Sequence, residues 1–192
     1  MAASQQPLGV PLTDPAQLAA YESSPAAIFP SFTADTAWSL GLALRARILS
    51  LPDGRRKPAL ISIALTTGSQ QPHVVFQSAT ESGTVPDNEV WVRRKRNTVL
   101  RWGMSTWLLR RKMLSATTDV DQVEAAFVKK YALPSSNGGS VADDYAIHGG
   151  GFPIRVRGVD GLVGVIVVSG LKQEDDHQVI VEVVKDFIEG GQ

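Results

Sequence analysis

The chain of 192 residues contains no cysteine. Disulfides, zinc–thiolate sites, iron–sulfur clusters and cysteine nucleophiles are therefore excluded. The same absence fits a reducing compartment. Histidine is scarce, with only His73, His148 and His177, so imidazole chemistry has three candidates. Long apolar runs are missing too: the longest is Leu162–Val168, against the roughly 20 residues a membrane-spanning helix needs. Met1-Ala2-Ala3-Ser4-Gln5-Gln6-Pro7 lacks the basic start and apolar core of a secretory signal. These features set the expectation of a cytoplasmic protein without a membrane span.

Net charge is also lacking, since 19 basic side chains balance 19 acidic ones. That balance argues against nucleic acid, whose binding needs an excess of cations. The average conceals two opposed segments. Between Asn88 and Met113 lie Arg93, Arg94, Lys95, Arg96, Arg101, Arg110, Arg111 and Lys112 against Glu89 alone. From Glu174 onward, Glu174, Asp175, Asp176, Glu182, Asp186 and Glu189 face only Lys185. Pairing between these two elements, within one chain or between subunits, is expected.

Hydrophobic residues make up 43% of the chain and charged residues 20%. A chain of this length folds as one domain that buries roughly 70% of its unfolded surface. Residues 1–24 read as a partly flexible N-terminal extension and 25–192 as the domain. Within the extension a short helix is expected at Pro15–Glu22. Thr33 is a plausible N-cap for the next helix, which ends before the Pro52-Asp53-Gly54 turn. Trp38, Leu42, Ala46 and Leu49 recur there at helical spacing and predict its buried stripe. Ala59–Thr66 and His73–Ala79 predict two strands joined through Thr67–Pro72. Trp91, Lys95, Val99, Trp102 and Thr106 share a helical face, with Gly103 dividing it and Ser105 starting a second helix. Thr118 and Asp121 suggest a capping box ahead of a helix with Val120, Val123, Phe127 and Tyr131 on one side. Pro134–Ser140 reads as a loop. Pro153–Arg157 and Leu162–Ser169 predict an antiparallel pair across Gly158–Gly161. A last helix starts near Glu174, with Val179, Ile180, Val183, Val184 and Phe187 facing inward. No strand–helix–strand unit repeats, so the expected class is α+β: a mostly antiparallel sheet with helices packed on it.

Three segments carry candidate chemistry. In His148-Gly149-Gly150-Gly151-Phe152-Pro153-Ile154, consecutive glycines suit positive φ angles or close approach of backbone N–H groups to a ligand. His148 beside them could act as acid, base or metal ligand, or hydrogen-bond the backbone of a tight loop. His-Gly-Gly-Gly also builds some esterase oxyanion holes, but no Gly-x-Ser-x-Gly elbow accompanies it. In Ser169-Gly170-Leu171 a strand gives way to a helix whose free N–H groups point outward. Asp175 and Asp176 satisfy that helix start, or Asp176 and His177 join His148 around a cation. In Trp91-Val92-Arg93-Arg94-Lys95-Arg96-Asn97, the four cations encircle a helix, so they cannot share one partner. One or two of them could hold a carboxylate.

Together these strings resemble the haem-degrading domain (GlcG/HbpS-like) family, in its uncharacterised Trp-Val-Arg-Arg-Lys branch found in bacteria and fungi. The resemblance spans about Pro25 to Glu189. It implies a profilin-like α/β sandwich with an antiparallel sheet of about five strands. It also implies homo-oligomers built from dimers, with haem as a possible ligand. The first expected function is binding of haem or a small anionic ligand by His148, Gly149, Gly150, Gly151, Phe152, Ser169, Gly170, Arg93, Arg94 and Asn97. The second is an enzyme with His148 as acid or base, oriented by Asp176 or His177. The third is an assembly or interaction module without ligand.

Overall fold

The computed structural model describes residues 6–66, 72–117, 119–133 and 141–190. Helix α1 covers Pro15–Glu22, capped by Asp14 Oδ1, which accepts from Gln17 N at 2.8 Å. A 3-10 turn at Pro25–Ala27 leads into the two-residue strand β1, Ile28–Phe29. Helix α2 is Ala34–Leu49, strands β2 and β3 are Leu60–Leu65 and His73–Ala79, and helices α3 and α4 are Pro86–Trp102 and Thr106–Leu114. Helix α5 is Val123–Lys130, strands β4 and β5 are Gly151–Val156 and Gly164–Ser169, and helix α6 is Gln173–Glu189.

The five strands form one sheet in the order β1-β4-β5-β2-β3. All pairings are antiparallel except β1 with β4. The architecture is α+β, as expected from the order of elements. The β2–β3 connection at 67–71 and the loop at 134–140 lie outside the described residues, as does Thr118 of the expected capping box.

Alternation along β5 assigns the two faces. Ile166 and Val168 join Ile61, Ile63 and Phe76 beneath α2 and α6. Val165 and Val167 pack with Val92 and Val99 of α3 on the opposite face. A third cluster, from Leu109 and Met113 of α4 with Val123 and Phe127 of α5, closes the α3 side.

Several predicted helix ends are seen. Thr33 and Thr36 make a reciprocal capping box at 3.2 Å in each direction. Gly103 stops α3 in the left-handed region at φ 66°, and Ser105 Oγ caps α4 by accepting from Leu108 N. The stripe expected on α2 is corrected. Trp38 and Leu42 are exposed, while Ala37, Leu40, Gly41, Leu44 and Ile48 face the sheet. Gly41 sets this rotation, because a Cβ there would run into the Phe76 ring. Trp38 instead lies edge-on to Phe76, 5.8 Å between centroids. On α5, Val123 and Phe127 are buried as expected, but Val120 precedes the helix and is exposed.

Residues read as a loose N-terminal tail are partly engaged. Leu8 is buried in the main core, and Gly9 N donates to Glu182 at 2.7 Å. Among the described residues, no helix is long and apolar enough to cross a membrane.

Candidate functional site

The carboxyl end of β5 opens onto a cleft of about 240 Å³. Its walls come from four segments: Asn88, Trp91 and Lys95 of α3, His148 of the glycine loop, Ser169–Leu171 after β5, and Gln173 with Asp176 at the start of α6. Asn88 pins α3 to the strand end by donating to Ser169 O at 3.2 Å.

Lys95 lies at the centre of this arrangement. It sits one residue from Arg94 and Arg96, yet its side chain alone turns toward α6. Its ammonium donates to Val168 O and to Asp176 Oδ2, both at 2.9 Å. Asp176 Oδ1 accepts from Leu171 N at 3.0 Å. Both side chains are buried, where a lone charge is costly and a hydrogen-bonded pair is tolerated. Burial pushes the Asp176 carboxyl upward in pKa, against the pull of Lys95 and of its backbone donors. The expected link between basic and acidic helices is thus realised inside one chain.

The glycine triplet explains itself through packing. Gly150 has φ 108°, and a Cβ there would lie 2.8 Å from both Lys95 Nζ and Asp176 Cβ and would overlap Val168 O. The missing side chain is the gap through which Lys95 reaches Asp176. A Cβ at Gly149 would strike Gln173 O, and one at Gly151 would meet Thr106 Cγ2 at 2.8 Å. Gly151 N donates to Thr106 Oγ1 at 3.0 Å.

His148 forms the wall between this cleft and a smaller hollow of about 190 Å³ lined by Arg94, Glu124 and Tyr145. Its ring meets Trp91 edge-to-face at 4.8 Å. Nε2 lies 3.4 Å from Glu124 Oε1, whereas Nδ1 is buried without a partner. Burial lowers its pKa, opposed by Glu124 and assisted by Arg110, Lys95 and Arg94. The imidazole is therefore neutral at pH 7. Gln173 Oε1 is likewise buried without a partner.

The structure separates the other sequence candidates from the cleft. Arg93 pairs with Asp144, Arg94 donates to Tyr145 O and covers the Trp91 ring, and Asn97 donates to Asp144 O. These three hold the segment before the glycine loop. Phe152 is a core residue of β4. His177 points away, between Trp107 and Phe152 at 6.0 and 6.2 Å, and burial pulls its pKa down to about 3. Neither Asp176 nor His177 orients His148; Glu124 holds that position. Among the described residues no group of three His, Asp or Glu side chains could hold a metal ion. Of the expected ligand-binding set, His148, Ser169 and Gly170 meet at the cleft. Leu171, expected beside them in the turn after β5, lines the cleft as well, and so do Asn88, Trp91, Lys95 and Gln173, which were not among the expected ligand-binding residues. The shared helical face of Trp91 and Lys95 was the available signal.

The family described as "Haem degrading protein HbpS-like" matches residues 32–185. The chain belongs to this family. The HbpS-like chain is 38% identical over 160 residues to a UPF0303 protein of Rhizobium meliloti, covering 83% of this chain and 82% of that one. It is 36% identical over 159 residues to a UPF0303 protein of Streptomyces avermitilis, with the same coverage. Among solved structures, Ybr137w superposes with a TM-score of 0.74 at 26% identity, covering 92% of this chain and 88% of that one. An HbpS double mutant of Streptomyces reticuli gives 0.52 at 17% identity, over 80% and 84% of the two chains. At that distance the likeness is one of fold.

The family description raises haem, and the cleft does not fit it. Its volume of about 240 Å³ falls below the roughly 300–1,000 Å³ of pockets that enclose drug-sized ligands. Neither His148 nitrogen is free to ligate a metal, Nδ1 being buried and Nε2 facing Glu124.

Proposed function

We propose that this HbpS-like protein binds a small polar molecule in the cleft at the end of β5. The observation that carries the reading is the cleft itself, where Asn88, Trp91 and Lys95 of α3, His148 of the glycine loop, the Ser169–Leu171 turn and Gln173 of α6 converge at the end of β5. Asn88, Trp91, Lys95, His148, Ser169, Gly170, Leu171 and Gln173 form the contact surface. Gly149, Gly150 and Gly151 shape it without touching the ligand. Arg93, Arg94 and Asn97 act from behind, by fixing the segment that carries His148.

Thermal unfolding of the full chain against a panel of small polar compounds and hemin tests this. A ligand at 100 times its Kd adds about 2.7 kcal/mol of stability. Stabilisation by small polar compounds, lost in Leu171→Trp, which fills the cleft, is the expected result. A one-to-one hemin Soret shift abolished by His148→Ala would overturn the size argument. The reading includes a cytoplasmic setting and self-association into oligomers built from dimers. Sedimentation velocity showing only monomer would remove the latter.

A further inference from the structure

We infer that a hollow at the β1 edge of the sheet is a second binding site, which takes a ligand carrying one carboxylate on an apolar body. It shares no lining residue with the cleft at the end of β5, so it stands apart from the small-ligand reading. Its volume is about 680 Å³, within the roughly 300–1,000 Å³ of pockets that enclose drug-sized ligands.

Strand register builds the site. Ile28 pairs with Arg155 and Phe29 with Val156, and Arg157 N continues the ladder by donating to Phe29 O at 2.9 Å. Paired residues share a face of a sheet, and successive residues alternate between faces. Phe29 and Val156 pack into the main core beneath α2 and α6, so Ile28, Arg155 and Arg157 share the opposite face. Arg155 fits that side, since its guanidinium donates to Gly103 O, between α3 and α4, at 2.6 Å. Neither of those helices lines the hollow. After β4 the chain folds back, with Val159 N donating to Val156 O at 3.1 Å. Val159 is left 50% exposed at the hollow. Together with Pro25 and Ile28 it supplies an apolar lining.

The charges select the ligand. Arg157 is exposed, and among the described residues its guanidinium meets no carboxylate or carbonyl. Asp160 lines the same hollow but forms an ion pair with neither arginine. A guanidinium holds a carboxylate through two parallel N–H bonds. One free guanidinium suits one carboxylate, and Asp160 opposes a second negative charge. Arg155 adds positive potential beside it. The arginines expected to hold a carboxylate, Arg93 and Arg94, are engaged with Asp144 and Tyr145. No lining residue is His, Met or Tyr, the haem-iron ligands open to a chain without cysteine, so haem has no axial ligand there.

Hexanoate, hexanamide and acetate separate the charged head from the apolar body. Each is titrated into the full-length protein at pH 7, following the Ile28 and Val159 methyl signals and the Trp91 indole signal by NMR. Hexanoate is expected to shift both methyls saturably and to leave Trp91, in the cleft, unmoved. Hexanamide, without the charge, should bind at least about tenfold more weakly, the loss expected when a charge-assisted hydrogen bond goes. Acetate, without the body, should also be weaker by at least about tenfold, since it buries no further methylene. Arg157→Gln should weaken hexanoate by about tenfold and leave hexanamide as it was. The residue is exposed, so the variant keeps its fold, and its unliganded methyl spectrum checks that. Hexanamide binding as tightly as hexanoate would overturn the carboxylate, and acetate binding as tightly would overturn the apolar body. Hexanoate that moves neither methyl, or moves only Trp91, would overturn the site itself.

Discussion

Lys95 Nζ reaches Asp176 Oδ2 at 2.9 Å through the space where Gly150 has no side chain. A helix on one face of the sheet is thereby tied to a helix on the other by a buried charge pair. Removing one partner leaves an uncompensated buried charge, which costs about 3–5 kcal/mol. Lys95→Met and Asp176→Leu should each lower stability by that order, and the double variant should recover much of the loss. Urea unfolding of the four proteins measures the coupling, and additive losses would refute it.

Gly150→Ala strikes the same point through the backbone. The residue sits at φ 108°, and its Cβ would press on Lys95 Nζ and Asp176 Cβ. Strained φ and overpacking each cost about 1–3 kcal/mol. A loss of at least about 2 kcal/mol is expected, seen as a lower urea midpoint with an unchanged slope.

The rotation of α2 is testable with two leucines. Leu44 is fully buried and Leu42 is 46% exposed. Leu44→Ala should cost about 2–5 kcal/mol, whereas Leu42→Ala should stay within about 0.5 kcal/mol. Equal losses in denaturant melts would contradict the assigned face.

His177 gives the fold an acid sensitivity. Its pKa falls from 6.5 to about 3 on folding, through burial. Below pH 6.5 the unfolded chain takes up a proton that the folded chain refuses, so stability declines as pH falls toward 3. The slope from this group is at most about 1.4 kcal/mol per pH unit. Glu22, raised by burial, contributes with the opposite sign, losing stability as pH rises through its folded value. Between pH 5 and 6.5, His177→Phe should flatten the stability profile; an unchanged slope would count against the assignment.

At His148 the neighbours pull in known directions. Glu124 holds its pKa up and Arg110 holds it down, both smaller than the effect of burial. Glu124→Gln should lower the His148 titration midpoint further and Arg110→Met should raise it, as read by NMR. Shifts in the reverse sense would mean that these side chains do not face the ring.

The sequence was legible where local chemistry decides the outcome. Thr33, Gly103 and Ser105 are caps by residue type, and β5 and α6 follow their apolar spacing. It was silent where two distant segments decide. Trp38 and Leu42 outweigh Ala37 and Gly41 in hydrophobicity, yet the small residues face inward because Phe76 needs the room. Strand β1 has two residues and a parallel partner, too little for any periodicity. In the site, four successive cations gave no hint that Lys95 would be the one to reach α6, since its route depends on Gly150, more than fifty positions away. The triplet itself was correctly marked as special, but its glycines serve close packing rather than exposed N–H groups.

The start of α4 is completed from far upstream. Glu22 accepts from Ser105 N at 3.0 Å, Trp107 Nε1 donates to Leu12 O, and Arg111 donates to Thr13 O. Leu18 shares a buried cluster with Trp107 and Leu108. A shortened chain beginning at Pro25 would retain the whole family match yet lose these contacts, uncovering an indole and a leucine. Expression of such a fragment should yield a sticky product, and an affinity tag is better placed ahead of residue 6 than substituted for residues 6–24.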